Sequence, residues 1–547
     1  MTKPSGLVFL FIDIGKYFRY DFLEVIAMLH SFERNSEYTV PSKPLPLVAE
    51  NSFLTKQPDA ESLPVFEEAR ELLPVPEWVG HEDYLDAYWT AWKLAFGNLR
   101  KPEPGSGFVS DFIDTAFNNC LFMWDSAFIL MFGKYGSRAF DFQQTLDNLY
   151  SHQHRDGYIC REIDTFDGTD QFTRFDPSST GPEVLPWSEW EYYLNTGDAD
   201  RLAKVFPPLM AYHRWMREWH TWPDGSYFSS GLGCGMDNIP RTQPGYHKKF
   251  SNGHMVWVDA CLQALFSCDL LIRMATVLGR DEFIPELETE KQNLESIINH
   301  RLWDEKTGFY YDQWKNGEKN MVRHAGAFWA MISGCASSDQ AERLVEHLND
   351  ENGFKTPNRV PALAKDDPNF SAVGSYWKGG VWAPVNYMVL RGLDRYGYYR
   401  LGHEIASDYL KAILGVFKET GTFFENYAPE YVDGKPIPGD PAEADFVGWT
   451  GLGPITILFE YIFGIKPDAH NRTILWDVRL LEKHGIDRYP FGREGQLRLL
   501  CAERKDENEE PQITLESNVP VTLEVVWGAE GQKQRKYVTS KGRTVTK

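Results

Sequence analysis

CLFMWDSAFILMFG, residues Cys120 to Gly133, is the stretch that decides how the rest of the chain is read. Apart from its closing glycine, only Asp125 and Ser126 interrupt an apolar run, and a helix that is apolar on every side must be surrounded by protein. PVNYMVLRGL (384 to 393) and PITILFEYIFG (454 to 464) are of the same kind. By contrast, FIPELETEKQNLESIINHRLW (283 to 303), SDQAERLVEHLND (338 to 350) and YRLGHEIASDYLKAILGVFKETG (399 to 421) each carry one charged face and belong at a surface. Enclosed and surface helices alternate from Tyr84 to Ile465, which predicts two concentric layers. At roughly 50 to 60 residues per hairpin this stretch holds about six pairs, so the expected fold is mainly α, an (α/α)6 toroid. Prolines near helix starts (Pro186, Pro384, Pro454) and glycines at ends (Gly197, Gly392, Gly464) mark the boundaries. YWKGGVWA and FVGWTGLG precede two of the enclosed helices; if those helices run parallel, such loops gather at one end, where sites form.

The flanks read differently. Residues 1–83 are a mixed, Pro-rich stretch (PSKPLPLVAE, LLPVPEW) expected to be an irregular lead-in to a barrel over 84–468. Beyond it, QLRLLCAE, QITLES, VTLEVVW and KYVTSKG alternate with period two, predicting a small C-terminal β-sandwich over 469–547. With 78 acidic against 56 basic side chains and a net charge of −22, neither nucleic acid nor an anionic membrane is the expected partner. Seven cysteines without a C-x-x-C pair suit a reducing compartment. The apolar run Leu7 to Ile12 is cut by Asp13 and reads as neither signal peptide nor membrane span, so a soluble, cytoplasmic protein is expected.

P-loop, H-E-x-x-H, EF-hand and G-x-S-x-G patterns are absent. The glycines at 231, 233 and 235 lack the strand and helix of a dinucleotide fingerprint and read as a loop. Asp164, Asp167 and Asp170 read as a solvated turn in preference to a Ca²⁺ site. What remains is carboxylates among glycines and aromatics: Asp237 in SGLGCGMDNIPR and Glu425 in GTFFENYAPE. Aromatic neighbours raise a carboxyl pKa and a nearby arginine lowers it, so the flanking residues alone make Glu425 an acid and Asp237 a base. Asp125, alone in an apolar helix, is either satisfied internally or reaches a polar ligand. Trp377 and Trp382 bracket Gly379 and Gly380, either as a platform for a sugar ring or as simple packing. Aromatics at 14% of the chain are explained by helix packing at least as well as by sugar stacking.

Taken together, MWDSAF, GMDNIPR, YWKGGVWAPVNYMVLRGL, FFENYAPE and GWTGLGPITILFEYIFG resemble the clan of inverting α-glycosidases that holds glycoside hydrolase family 63, the family 37 trehalases and the mannosylglycerate and glucosylglycerate hydrolases. The resemblance implies an (α/α)6 barrel acting on a small carbohydrate, without metal or organic cofactor. It makes Asp237 the general acid and Glu425 the general base, the reverse of the roles the flanking residues suggest. It also implies that Trp124 and Asp125 hold the terminal sugar, that Trp377, Lys378, Gly379 and Trp382 line the same pocket, and that Arg241 steadies the acid loop. Tyr427 and Trp449 are further pocket residues on this reading. The chain departs from family 63 in having no room before Tyr84 for a large N-terminal β-sandwich. It departs again in carrying Glu183 in TGPEVLPW, where relatives often have an amide, which points to an altered acceptor side. Two other readings stand beside this one. An epimerase or lyase on the same toroid would present histidines, whereas only His247 falls in a motif loop; a non-catalytic carbohydrate-binding protein would have lost a carboxylate, whereas both are present.

Overall fold

The computed structural model describes residues 43–58, 62–528, 533–539 and 542–545. The run Leu7 to Ile12 lies outside the described residues, as does most of the lead-in. Helix Met123–Gly133 is buried at every position, as its composition requires. Helix Ser338–Asn349 buries only Ala341, Leu344 and Leu348 and is started by a reciprocal capping box between Ser337 and Gln340. This contrast recurs through the helical region. Enclosed segments Met123–Gly133, Leu185–Thr196, Val258–Leu278, Trp329–Ile332, Ala383–Arg395 and the run from Trp449 to Ile462 each pack on the next, and the last packs on the first. Glu82–Gly97, Ala199–Trp219, Ile284–Ile297 and Tyr399–Thr420 lie against them from outside. Val258–Leu278 is apolar and long enough to cross a membrane, but most of it is buried in this ring.

Boundaries differ from expectation at three places. Cys120–Phe122 is a strand paired with Glu162–Asp164, so the first enclosed helix begins only at Met123. Pro186, Pro384 and Pro454 do occupy first-turn positions, and Gly197 and Gly464 sit at positive φ after their helices. Gly392, however, lies inside a helix that continues to Arg395. A Cβ there would come within 2.8 Å of the Met331 Cβ, so the glycine lets two enclosed helices touch and does not end one. The surface helix beginning at Ile284 stops at Ile297, and one wide turn, Ile298–Leu302, carries the chain into a strand at Trp303.

The C-terminal region forms two sheets. One joins Ile465–Asp468, Thr473–Asp477, Val521–Trp527 and Lys533–Thr539; the other joins His484–Phe491, Gly495–Cys501, Ile513–Ser517 and Gly542–Val545. Leu523, Val525, Leu497 and Leu499 are buried while their neighbours are not, as strands with one covered face demand. Val75–Trp78, from the Pro-rich stretch, pairs antiparallel with residues 484–487 as the edge of the second sheet. These strands meet the Gly197 end of the helices: Gly492 N–H donates to the Asn195 carbonyl at 2.8 Å, and the Tyr489 and Tyr135 rings lie 5.7 Å apart. The opposite end, where the enclosed helices begin, is left to loops.

Candidate active site

A cavity of about 670 Å³ opens among those loops. Trp124 and Asp125 reach it from the first turn of Met123–Gly133, Gly181 and Pro182 from just before Leu185–Thr196, Trp377 from before Ala383–Arg395, and Trp449 from the start of the last enclosed segment. Asp237 and Glu425, from two separate loops, complete it.

The loop carrying Asp237 lies across the indole of Trp124. Gly235 has φ +75°, and a Cβ there would stand 3.2 Å from that ring, so only glycine allows the approach. Asp237 is partly exposed, with Lys249 Nζ 3.9 Å from its carboxylate. Glu425 is buried and held from several sides. The Tyr376 hydroxyl donates to its Oε1 at 2.9 Å, the Glu443 N–H points at its Oε2 from 3.4 Å, and Trp449 Nε1 donates to its carbonyl at 2.8 Å. Burial raises its pKa to about 7; the Tyr376 and Glu443 donors hold the value down, while the charges of Asp237 and Glu443 add to the rise. Asp125 is 5% exposed, and its Oδ1 has no hydrogen-bond partner among the described residues. Burial drives its pKa well above the usual carboxylate range; its own backbone N–H opposes that and the charge of Glu425 reinforces it. A buried carboxyl oxygen left unmatched beside a cavity is a ready acceptor for hydroxyl groups.

Trp377 lines the cavity with its other face stacked on Trp382, centroids 3.8 Å apart and planes 3° apart. Trp382 does not line the cavity and backs Trp377 from behind. Tyr427 is behind the site too: its backbone pairs with Val381 and its hydroxyl accepts from Phe424 N–H. Lys378 and Gly379 turn the chain beneath Trp377 without lining the cavity. Arg241 does not line the cavity. Its guanidinium is enclosed by Asp259 and Asp312 and lies 4.0 Å over the Trp257 ring, so it steadies the loop from within and offers no donor to the cavity. Glu183 also points away, to His213 Nδ1 at 2.5 Å and to Ser267, and cannot alter the acceptor side directly. In the acidic turn, Asp164 and Asp167 accept backbone N–H groups of their own loop, and Asp170 pairs with His154.

Two residues escaped the sequence reading. Tyr376 looks like a neighbour of the tryptophan motif and nothing more. Arg161, a single basic residue in CREID, lines the cavity with its Nε on the Ser178 carbonyl and a terminal nitrogen 3.1 Å from Glu162. Burial would weaken the Arg161 charge, but Glu162, Asp237 and Asp125 outweigh it and raise the pKa. Lys248, Lys249 and Phe250 add a basic and aromatic wall on the side of Asp237.

Residues 119–439 match the family model for the mannosylglycerate hydrolase MGH1-like glycoside hydrolase domain. The chain belongs to this glycoside hydrolase family. A Borreliella burgdorferi protein of unassigned function is 26% identical over 391 residues, covering 70% of this chain and 78% of that one. A "Probable mannosyl-oligosaccharide glucosidase" of Schizosaccharomyces pombe is 23% identical over 284 residues, 46% of this chain. The match spans about a third of that longer protein, 34% of its length. Among solved structures, the GH63 mannosylglycerate hydrolase of Thermus thermophilus in complex with Tris and D-glycerate superposes with a TM-score of 0.54 at 23% identity, covering 67% of this chain and 98% of that one. The same enzyme in complex with glucose gives 0.53 at 22%, with the same coverage. At these identities the structural likeness establishes the fold, helical with accessory sheets, that this glycoside hydrolase shares with them.

Proposed function

We propose that this glycoside hydrolase is an exo-acting, inverting α-glycosidase that removes one glucose-like or mannose-like unit from a small α-glycoside. In this reading the closed succession of enclosed helices is the inner layer of an (α/α)6 toroid within 84–468, the last four residues of which already form a strand of the β-rich region to which Val75–Trp78 is joined. Asp237 protonates the glycosidic oxygen, and Glu425 takes a proton from the water that attacks the opposite face of the ring. The observation that carries the assignment is the surroundings of Glu425. Both of its oxygens face donors, Tyr376 Oη and the Glu443 N–H, an arrangement that serves an acceptor-only carboxylate and hence a base. This outweighs the flanking-residue argument, which did not include Tyr376, 49 residues away in the chain. Asp125 and Trp124 would receive the terminal sugar, with Trp377 in the wall beside them.

The acceptor side is distinctive. Despite the net charge of −22, Arg161, Lys248 and Lys249 line the wall near Asp237. An aglycone carrying a carboxylate, such as the D-glycerate held by the Thermus thermophilus enzyme, fits a wall of that sign. No histidine lines the cavity among the described residues, which weighs against an epimerase, and the presence of both carboxylates weighs against a binding protein.

The test is hydrolysis of α-linked glucosides, mannosides and galactosides, including trehalose, kojibiose, nigerose and glycerate glycosides, with the product anomer followed by proton NMR. Initial release of the β-anomer is expected; initial release of the α-anomer would refute inversion, and sugar binding without turnover would favour the binding-protein reading. A pH dependence follows as well. A base must be ionised to act, and Glu425 loses its proton at about pH 7. kcat/KM should therefore fall on the acid side of neutrality, to roughly one hundredth of its plateau two pH units below that midpoint. A flat profile from pH 5 to 8 would exclude Glu425 as the base.

A further inference from the structure

We propose that Asn238 is a positioning residue that fixes Tyr376, and through it the base Glu425, from the loop that carries the acid. The inference rests on the reading of Asp237 and Glu425 as an acid and base pair and adds a residue that couples them.

The side-chain amide of Asn238 spans the Ser375–Trp377 turn. Its Nδ2 donates to the Ser375 carbonyl at 3.0 Å, and its Oδ1 accepts the Trp377 N–H at 2.9 Å. These peptide groups flank Tyr376 on either side, so one planar amide clamps the residue whose hydroxyl donates to Glu425 at 2.9 Å. The turn needs clamping. Ser375 has φ +39° and Tyr376 φ +67°, both in the left-handed region and neither a glycine or asparagine. Such residues cost roughly 1–3 kcal/mol each and persist only where the surroundings over-determine them. The turn's own loop supplies part of that constraint, through Ser375 Oγ on Ser371 Oγ at 2.8 Å and Gly380 N–H on the Tyr376 carbonyl at 3.0 Å. Asn238 supplies the rest from 137 and 139 residues away in the chain.

The consequence is mechanical. Asp237 is bonded to its neighbour Asn238, Asn238 holds Tyr376, and Tyr376 holds Glu425, so two loops distant in sequence move as a unit. An inverting enzyme must keep acid and base far enough apart for a water, about 6.5–9.5 Å, and a misplacement of about 1 Å costs roughly a hundredfold in rate. A side chain offering donor and acceptor together suits this task. Alanine offers neither, and serine is too short to reach both peptide groups.

The experiment measures kcat, KM and the pH profile of Asn238→Ala, Tyr376→Phe and the double variant, with Glu425→Gln in parallel and circular dichroism on each. Asn238→Ala should lower kcat by roughly ten- to a hundredfold with KM changed less than about threefold. The acid limb of kcat/KM should move to higher pH in both single variants, because each deprives the ionised Glu425 of its donor. The double variant should be no slower than Tyr376→Phe alone, as expected for residues acting in series. An acid limb that stays at the wild-type position in Asn238→Ala, or losses that multiply in the double variant, would overturn the proposal. If Asn238→Ala fails to fold, Asn238→Ser, which puts a small polar hydroxyl in place of the amide, is read by the same criteria. Full activity in Glu425→Gln would instead defeat the acid and base assignment itself, so the two failures are distinguishable.

Discussion

Asp237→Asn and Glu425→Gln are each expected to reduce turnover of an unactivated α-glycoside by roughly 10²- to 10⁴-fold, the range contributed by a positioned proton donor or acceptor. The two losses should differ in kind. A glycosyl fluoride leaves without protonation, so Asp237→Asn should recover much of its rate on that substrate, whereas Glu425→Gln should not. A small anion such as azide needs no proton removed before it attacks, so azide should restore turnover in Glu425→Gln and yield the β-glycosyl azide. The opposite pattern would reverse the two roles and restore the assignment drawn from flanking residues. Stability separates chemistry from misfolding. Because burial raises the Glu425 pKa to about 7, the folded protein binds that proton more tightly than the unfolded chain does. The favourable contribution is present at low pH and is lost as pH rises through the folded value, so above pH 7 the ionised side chain is a burden on the fold. Glu425→Gln should therefore unfold at the same or higher denaturant concentration than wild type at pH 8 while being inactive.

The sites that could be read in the sequence are those where chemistry forces an unusual residue into a regular background. Asp125 stands out because a carboxylate has no place in an apolar helix, and among the described residues its Oδ1 has no partner beside the cavity. Asp237 and Glu425 stand out among glycines and aromatics. How Arg241 steadies the acid loop could not be read, because its partners Asp259 and Asp312 are 18 and 71 residues away. Tyr376 was illegible for the complementary reason: its role depends on a left-handed backbone turn that composition does not mark. The layered helices were legible because burial imposes a pattern on every turn. The strand Val75–Trp78 was not, since four residues carry too little periodicity to reveal a partner some 400 residues later.

Charge buried far from the chemistry yields the second large effect. Following Met123–Gly133 inward from Asp125, the chain reaches Lys134 nine positions later, roughly 14 Å along the helix axis. Lys134 Nζ lies 2.8 Å from Glu460 and 3.1 Å from Glu191, and Arg391 meets Glu191 at 2.5 Å. Tyr135 and Tyr387 donate to the two oxygens of Glu460, and Trp187 Nε1 donates to Glu191. These residues come from four enclosed segments, so two cations and two carboxylates tie the inner helices together at the end away from the cavity. Desolvation makes such a cluster expensive to assemble and more expensive to break, since removing one member strands a buried charge. Burial would raise the Glu191 pKa, but Arg391 and Lys134 more than reverse it and hold it below the usual range. Lys134→Met is thus expected to destabilise the protein by about 3–5 kcal/mol, measured by denaturant unfolding at neutral pH. Arg400→Ala, which breaks an exposed pair with Glu404 on the outer helix Tyr399–Thr420, should cost no more than about 0.5 kcal/mol. Equal effects from the two substitutions would mean that the four helices are held by apolar packing alone and that the ion cluster contributes nothing to their closure. Because Glu191 is depressed in the fold, the stability it adds is present at neutral pH and lost as pH falls through its folded value. The gap between wild type and Lys134→Met should narrow in acid for that reason, which ties the measured loss to the cluster and not to a general disturbance of the core.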